Sequence, residues 1–152
     1  VGADYNGWRP LIQITRQEFN ADNPDLLDGV PVDSRLIRTS QFGEFRDMAA
    51  KAWLVNFALA KTFALNDKYV DAVVPYVEYS WFIKDEDEFE DSQLLTPGMQ
   101  VHMGPIWLWL DVLIGRNATF LNDSAANPGI GAGAIRPQQF EVRPNLQIQY
   151  YF

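Results

Sequence analysis

The sequence predicts an all-β fold class: an antiparallel, up-and-down transmembrane β-barrel, with about six strands visible in the 152 residues. Three observations carry this prediction. Residues 140–152 alternate without an error between an apolar and a polar side. The connections between runs of this kind alternate between short turns and long polar segments. Hydrophobic residues make up 47% of the chain, yet no run reaches the ~20 apolar residues of a membrane-spanning helix. The longest uncharged stretch, residues 92–110, contains Pro97, Gly98, Gly104 and Pro105 and cannot stay helical.

Taken in order, residues 8–19 read as the first strand. Residues 45–65 are rich in Ala, Leu and Phe, and periodicity there fits a helix or a strand. As a strand, Trp53, Val55, Phe57, Leu59, Phe63 and Leu65 share one side, interrupted by Lys61. Ala50, Ala52, Asn56, Ala58, Ala60 and Thr62 share the other, with Leu54 the one large apolar exception. Large apolar residues facing small and polar ones is a barrel pattern, so a strand over 49–65 is preferred. Residues 66–68 (Asn-Asp-Lys) make a turn into a strand over 69–83, where Val73, Pro75, Val77, Tyr79, Trp81 and Ile83 share a face. Over 93–104, Leu95, Pro97, Met99, Val101 and Met103 oppose Thr96, Gly98, Gln100 and His102. Gly104-Pro105 reads as a hairpin turn. The next strand, 106–120, carries Ile106, Leu108, Leu110, Val112 and Ile114 on its apolar side. In the last strand, Phe140 through Phe152, the even positions are apolar and the odd ones polar apart from Tyr151. Its thirteen positions exceed the usual soluble strand of about 5–6 residues and the ~9–11 that cross a bilayer at a tilt.

The last residues, Leu146-Gln147-Ile148-Gln149-Tyr150-Tyr151-Phe152, resemble the C-terminal signature of Gram-negative outer-membrane β-barrel proteins. The resemblance is to the class and to no particular family. It implies location in the bacterial outer membrane, contact with outer-membrane lipid, and a role for Leu146, Ile148, Tyr150 and Phe152 as the signal read by the barrel-assembly machinery. It also implies a periplasmic C-terminus. Tracing back from there puts residues 66–68 and 104–105 in the periplasm. The long segments 20–48, 84–92 and 121–138 then lie outside, as the class requires. Trp53 and Trp81 fall near the outer edge, and Phe63, Tyr150 and Phe152 near the inner one, like the two aromatic girdles of such barrels.

The whole chain, 1–152, reads as a single barrel domain or as the C-terminal portion of a larger one. Single-chain bacterial barrels have eight or more strands, and six would leave edges whose backbone groups lack partners in lipid. The further strands come from an absent N-terminal part, the preferred solution, or from other copies. Val1 in place of Met, and the turn-like Asp4-Tyr5-Asn6-Gly7, favour the first. An eight-stranded barrel with weak strands over 35–45 and 130–135 is a third arrangement.

The polar face holds Glu78, Gln100, His102, Trp109, Asp111, Glu141, Arg143, Gln147 and Gln149, the residues that would line a lumen. There they either set solute preference in a channel or pair with one another and fill the interior. The formal net charge of −8 argues against nucleic acid. With no Cys and one His, thiolate zinc sites and His-rich metal centres are excluded, and no cofactor is expected. Turn pairing puts His102 opposite Trp107 or Trp109 rather than Asp111, so a catalytic dyad is not expected and the chain reads as no enzyme. Six of the seven residues from Asp85 to Asp91 are acidic but lack calcium-loop spacing, which reads as a solvated loop. The leading functional expectation is a porin-like channel for small solutes. The alternatives are a structural or adhesive outer-membrane barrel whose acidic loops bind a partner, and a soluble β-barrel holding an apolar ligand.

Overall fold

The computed structural model describes residues 4–20, 34–41, 44–65, 67–118, 121 and 139–152. Its elements are all strands: β1 (Trp8–Glu18), β2 (Leu36–Gln41), β3 (Glu44–Ala49), β4 (Lys51–Lys61), β5 (Phe63–Ala64), β6 (Ala72–Lys84), β7 (Ser92–Met103), β8 (Ile106–Arg116) and β9 (Glu141–Tyr150). Six long strands form one antiparallel sheet in the order β1-β4-β6-β7-β8-β9. β5 continues β4 in the same register against β6, and the ladder breaks at Thr62, whose N–H donates instead to the Gly7 carbonyl. Residues 51–64 are therefore one strand, and the helical alternative for this segment is not taken.

The expected strands reappear with ends moved by a few residues. Gly104-Pro105 joins Met103 to Ile106 directly. Gly104 takes φ +56, and Pro105 cannot, which fits a two-residue hairpin with glycine first, the type II′ turn. Between β5 and β6, Asp67 Oδ1 accepts from the N–H groups of Tyr69 (2.9 Å) and Val70 (3.3 Å), an Asx turn that reverses the chain. Asn66 lies outside the described residues.

Register aligns the alternating faces of all six strands. One row runs Ile12, Phe57, Tyr79, Leu95, Ile114, Val142. Every member is apolar or aromatic, and each is exposed or half-buried. The exposure reaches 64% at Ile14 and 68% at Ile148, while on the opposite face Val74 and Ala52 are fully buried.

Closure of the sheet is the point where the structure stops short of the expectation. Among the described residues β1 pairs only with β4 and β9 only with β8, and the two do not pair with each other. The eight-stranded arrangement is not found among them either. β2 and β3 pair with each other as a separate hairpin (Leu36 opposite Ala49) and do not join the main sheet. Residues 130–135, the other expected weak strand, lie outside the described residues.

Candidate functional site: the polar face of the sheet

The nine polar-face residues expected from alternation share one side of four adjacent strands, β6 to β9. One hydrogen-bonded group centres on Asp111. Across the sheet the register runs Arg9, Ala60, Tyr76, Gly98, Asp111, Asn145. Tyr76 Oη donates to Asp111 Oδ2 (2.8 Å), and Asn145 Nδ2 donates to the same oxygen (3.3 Å). Tyr76 and Asp111 are separated by one strand, and the ring reaches across only because Gly98 lies between them. A Cβ at Gly98 would meet the Tyr76 ring at 2.5 Å and Asp111 Cβ at 2.7 Å. Glycine in a strand interior, otherwise weakening, here opens a slot for an aromatic ring. Trp109 packs edge-on to Tyr76, ring centroids 6.2 Å apart.

Toward the Gly104-Pro105 end, His102 lies opposite Trp107, as the turn pairing predicts, and the rings stack at 3.8 Å. Tyr151 tilts over Trp107 at 4.8 Å and donates to Gln149 Oε1 (2.7 Å). Gln100 Oε1 shares a hydrogen bond with His102 Nε2 (3.2 Å). Gln147 lies opposite Trp109 in register, and the buried Trp109 Nε1 has no hydrogen-bond partner among the described residues. At the other end Glu141 lies opposite Gly115, and Arg143 Nη2 donates to the Leu121 carbonyl (3.3 Å). His102 and Asp111 are four register positions apart and make no dyad. No group of three His, Asp or Glu side chains among the described residues could hold a metal ion.

The sequence reading passed over Tyr76, Gly98 and Asn145 as site residues. All three lie at polar-face parity, so alternation already put them there. What it could not give is their lateral register, which depends on which residues face each other across three strand pairs.

A cavity of about 490 Å³ opens on the same face beside this group. Arg9 and Leu11 from β1, Ala58 and Ala60 from β4, Tyr76 and Glu78 from β6, and Gln100 from β7 line it. Four consecutive strands thus curl around one space.

The acidic segment is solvent-exposed, as expected, and is also held by ion pairs and hydrogen bonds. Asp85 holds Arg16 through two hydrogen bonds of 2.6 Å, and Glu88 holds Arg35 (2.9 Å). Asp91 accepts from Trp81 Nε1 and from the Lys84 backbone N–H, both at 3.0 Å. The Arg16 guanidinium beside it holds the Asp85 carboxyl below the usual carboxylate range.

Both ends of the apolar face carry cations against aromatic rings. At one end Arg16 sits over Trp53 (5.3 Å) and Arg116 over Phe140 (5.6 Å). At the other, Lys61 sits over Trp8 (5.2 Å). Leu146, Ile148, Tyr150 and Phe152, expected from the sequence to form an assembly signal, are all exposed on this face, with the Tyr150 and Phe152 ring centroids 6.2 Å apart.

With this geometry in hand, comparison with protein-family models, with curated proteins and with solved structures finds no match. The functional reading therefore rests on the residues themselves.

Proposed function

We propose that this chain forms wall of a transmembrane β-barrel of the outer-membrane class and serves as a porin-like channel for small solutes. The observation that carries the reading is the continuous apolar row across all six strands, exposed on one face and backed by a polar, charged face. In water such a surface would drive association, whereas in hydrocarbon it is matched to its solvent. Cation and aromatic pairs at the two ends of the face suit the two membrane interfaces, where the apolar stem and ring stay in the bilayer and the charge reaches water. Between Trp53 and Lys61 the apolar band spans eight residue steps, roughly 27 Å along the strand and about 20 Å at a 45° tilt, close to the height expected of such barrels.

On this reading the polar face looks into an aqueous lumen, and Glu78, Gln100, Asp111, Arg143 and Gln147 line the path. The full barrel needs more strands than the described residues supply, and the outer edges of β1 and β9 are where they join. The test is single-channel conductance of the protein refolded into planar bilayers. Discrete ion-conducting steps are the expected result; inserted protein that never conducts would remove the channel and leave the barrel.

The adhesive alternative rests on the acidic segment. Its carboxylates Asp85, Glu88 and Asp91 are engaged with Arg16, Arg35, Trp81 and the Lys84 backbone, which favours a role in tying strands together over one in partner binding. The exposure of the apolar row weighs against a soluble barrel with an apolar interior.

A further inference from the structure

The cavity beside Tyr76 combines features that the channel reading does not use. Its two ends carry opposite charges, and its floor is made of small residues. In register, Arg9 faces Ala60, which faces Tyr76; two positions along, Leu11 faces Ala58, which faces Glu78. Arg9 and Glu78 are thus separated by one strand and two residue steps, a backbone diagonal of roughly 12 Å from strand spacing and rise. Between them the floor of the intervening strand is Ala58 and Ala60. Neither Arg9 nor Glu78 makes a hydrogen bond or ion pair among the described residues, although both are long enough to lean over the floor. The polar groups around them are committed: the Tyr76 hydroxyl is held by Asp111, and Gln100 Oε1 is shared with His102. On the four strands, the charged side chains left around the cavity are therefore a guanidinium at one end and a carboxylate at the other, with Leu11 beside the alanines and Asp4 lining it from before β1.

We propose that this cavity is a binding subsite for a small zwitterion of the amino-acid or short-peptide class, its carboxylate on Arg9 and its ammonium on Glu78. The inference rests on the polar face being an aqueous lumen. Guanidinium and carboxylate are the groups that pair most strongly with these two ligand charges. A volume of about 490 Å³ lies within the usual range of small-molecule sites and leaves room for a short aliphatic stem over Leu11 and the alanines.

The probes that test this are 5-aminopentanoate, pentanoate and pentylammonium, which share a stem and differ by one charge. Binding to the full chain, refolded in detergent and checked by its β-sheet circular dichroism, is followed by saturation-transfer nuclear magnetic resonance. The zwitterion should bind about tenfold tighter than either half-ligand, the worth of one added charge-assisted contact. Arg9→Gln should reduce the zwitterion to the level of pentylammonium and leave pentylammonium unchanged. Glu78→Gln should reduce it to the level of pentanoate. Equal binding of the three probes by the unaltered protein, or a preference that survives in the R9Q/E78Q double variant, overturns the subsite. Conductance without zwitterion preference refutes this inference and leaves the channel standing; preference without conductance does the reverse.

Discussion

Gly98 shows at the residue scale how one missing side chain organises the polar face. The Tyr76 ring occupies the space a Cβ would take and delivers its hydroxyl to Asp111 across an intervening strand. Gly98→Ala should therefore destabilise the folded state by about 1–3 kcal/mol, the usual cost of overpacking. Tyr76→Phe keeps the ring in the slot but removes a hydrogen bond to a carboxylate, at a cost of about 1.5–3 kcal/mol. Because the two act on one contact, their effects should be non-additive. In urea titrations of the refolded protein, G98A placed in a Tyr76→Ala background should cost less than in the native one, since the ring it strikes is gone. An equal cost in both backgrounds would mean that Asp111 Cβ, and not the ring, sets the limit. None of this was legible from alternation. Period two fixes the side of the sheet each residue takes, and the pairing of Tyr76 with Asp111 depends on registers summed over two ladders.

At the element scale the sequence was more informative, because each strand carries its own pattern. The Gly104-Pro105 hairpin, the two faces of β9 and the pairing of His102 with Trp107 all follow from local rules. The contacts of the acidic segment did not: its composition reads as solvated, and only the fold brings Arg16, Arg35 and Trp81 within reach of it. This contact has a pH signature. The Asp85 carboxyl is held below its ordinary value by Arg16, so its contribution to stability is present above the unfolded carboxylate range, near pH 4. That contribution is lost as pH falls through the lower, folded value. The difference in unfolding midpoint between the native chain and Asp85→Asn should be visible at neutral pH and vanish in acid. The pair is solvent-accessible, so added salt should shrink the difference as well. A difference that persists unchanged in acid would assign the effect of Asp85→Asn to something other than its charge. The last strand gives a second contrast. If Ile148 lies near the bilayer midplane, Ile148→Arg should cost about 2–4 kcal/mol, falling toward the interface. Gln147→Arg, one residue away on the polar face, should fold nearly normally and alter ion selectivity in bilayers.

The whole molecule is defined by what its faces and edges meet. Hydrogen bonds from Thr62 N–H to the Gly7 carbonyl and from Tyr151 N–H to the Pro105 carbonyl set the ladder parity at both margins. By that parity the odd residues of β1 and β9 bond inward, and the even residues point their backbone groups off the sheet. Pro10 and Pro144 are both even, so the N–H that each lacks is missing from the outer edge and not from a ladder to β4 or β8. The even residues are also those of the apolar face. In an antiparallel union of the β1 and β9 edges, direct or through further strands, apolar residues would then face apolar residues. The decisive property is the medium against that face, and the absence of cysteine makes it measurable, since a single introduced cysteine takes a single spin label. Labels placed in turn at Ile12, Phe57, Leu95, Val142 and Ile148 should all relax faster with dissolved oxygen, which concentrates in lipid, and be shielded from a water-soluble nickel chelate. A label at Gln147 should show the opposite preference. A soluble protein that buried the same face in a partner would lose stability on Ile148→Arg too, so that variant alone does not discriminate. Protection of the even positions from both reagents would place them in a protein core, and the membrane barrel would have to be abandoned along with the channel built on it.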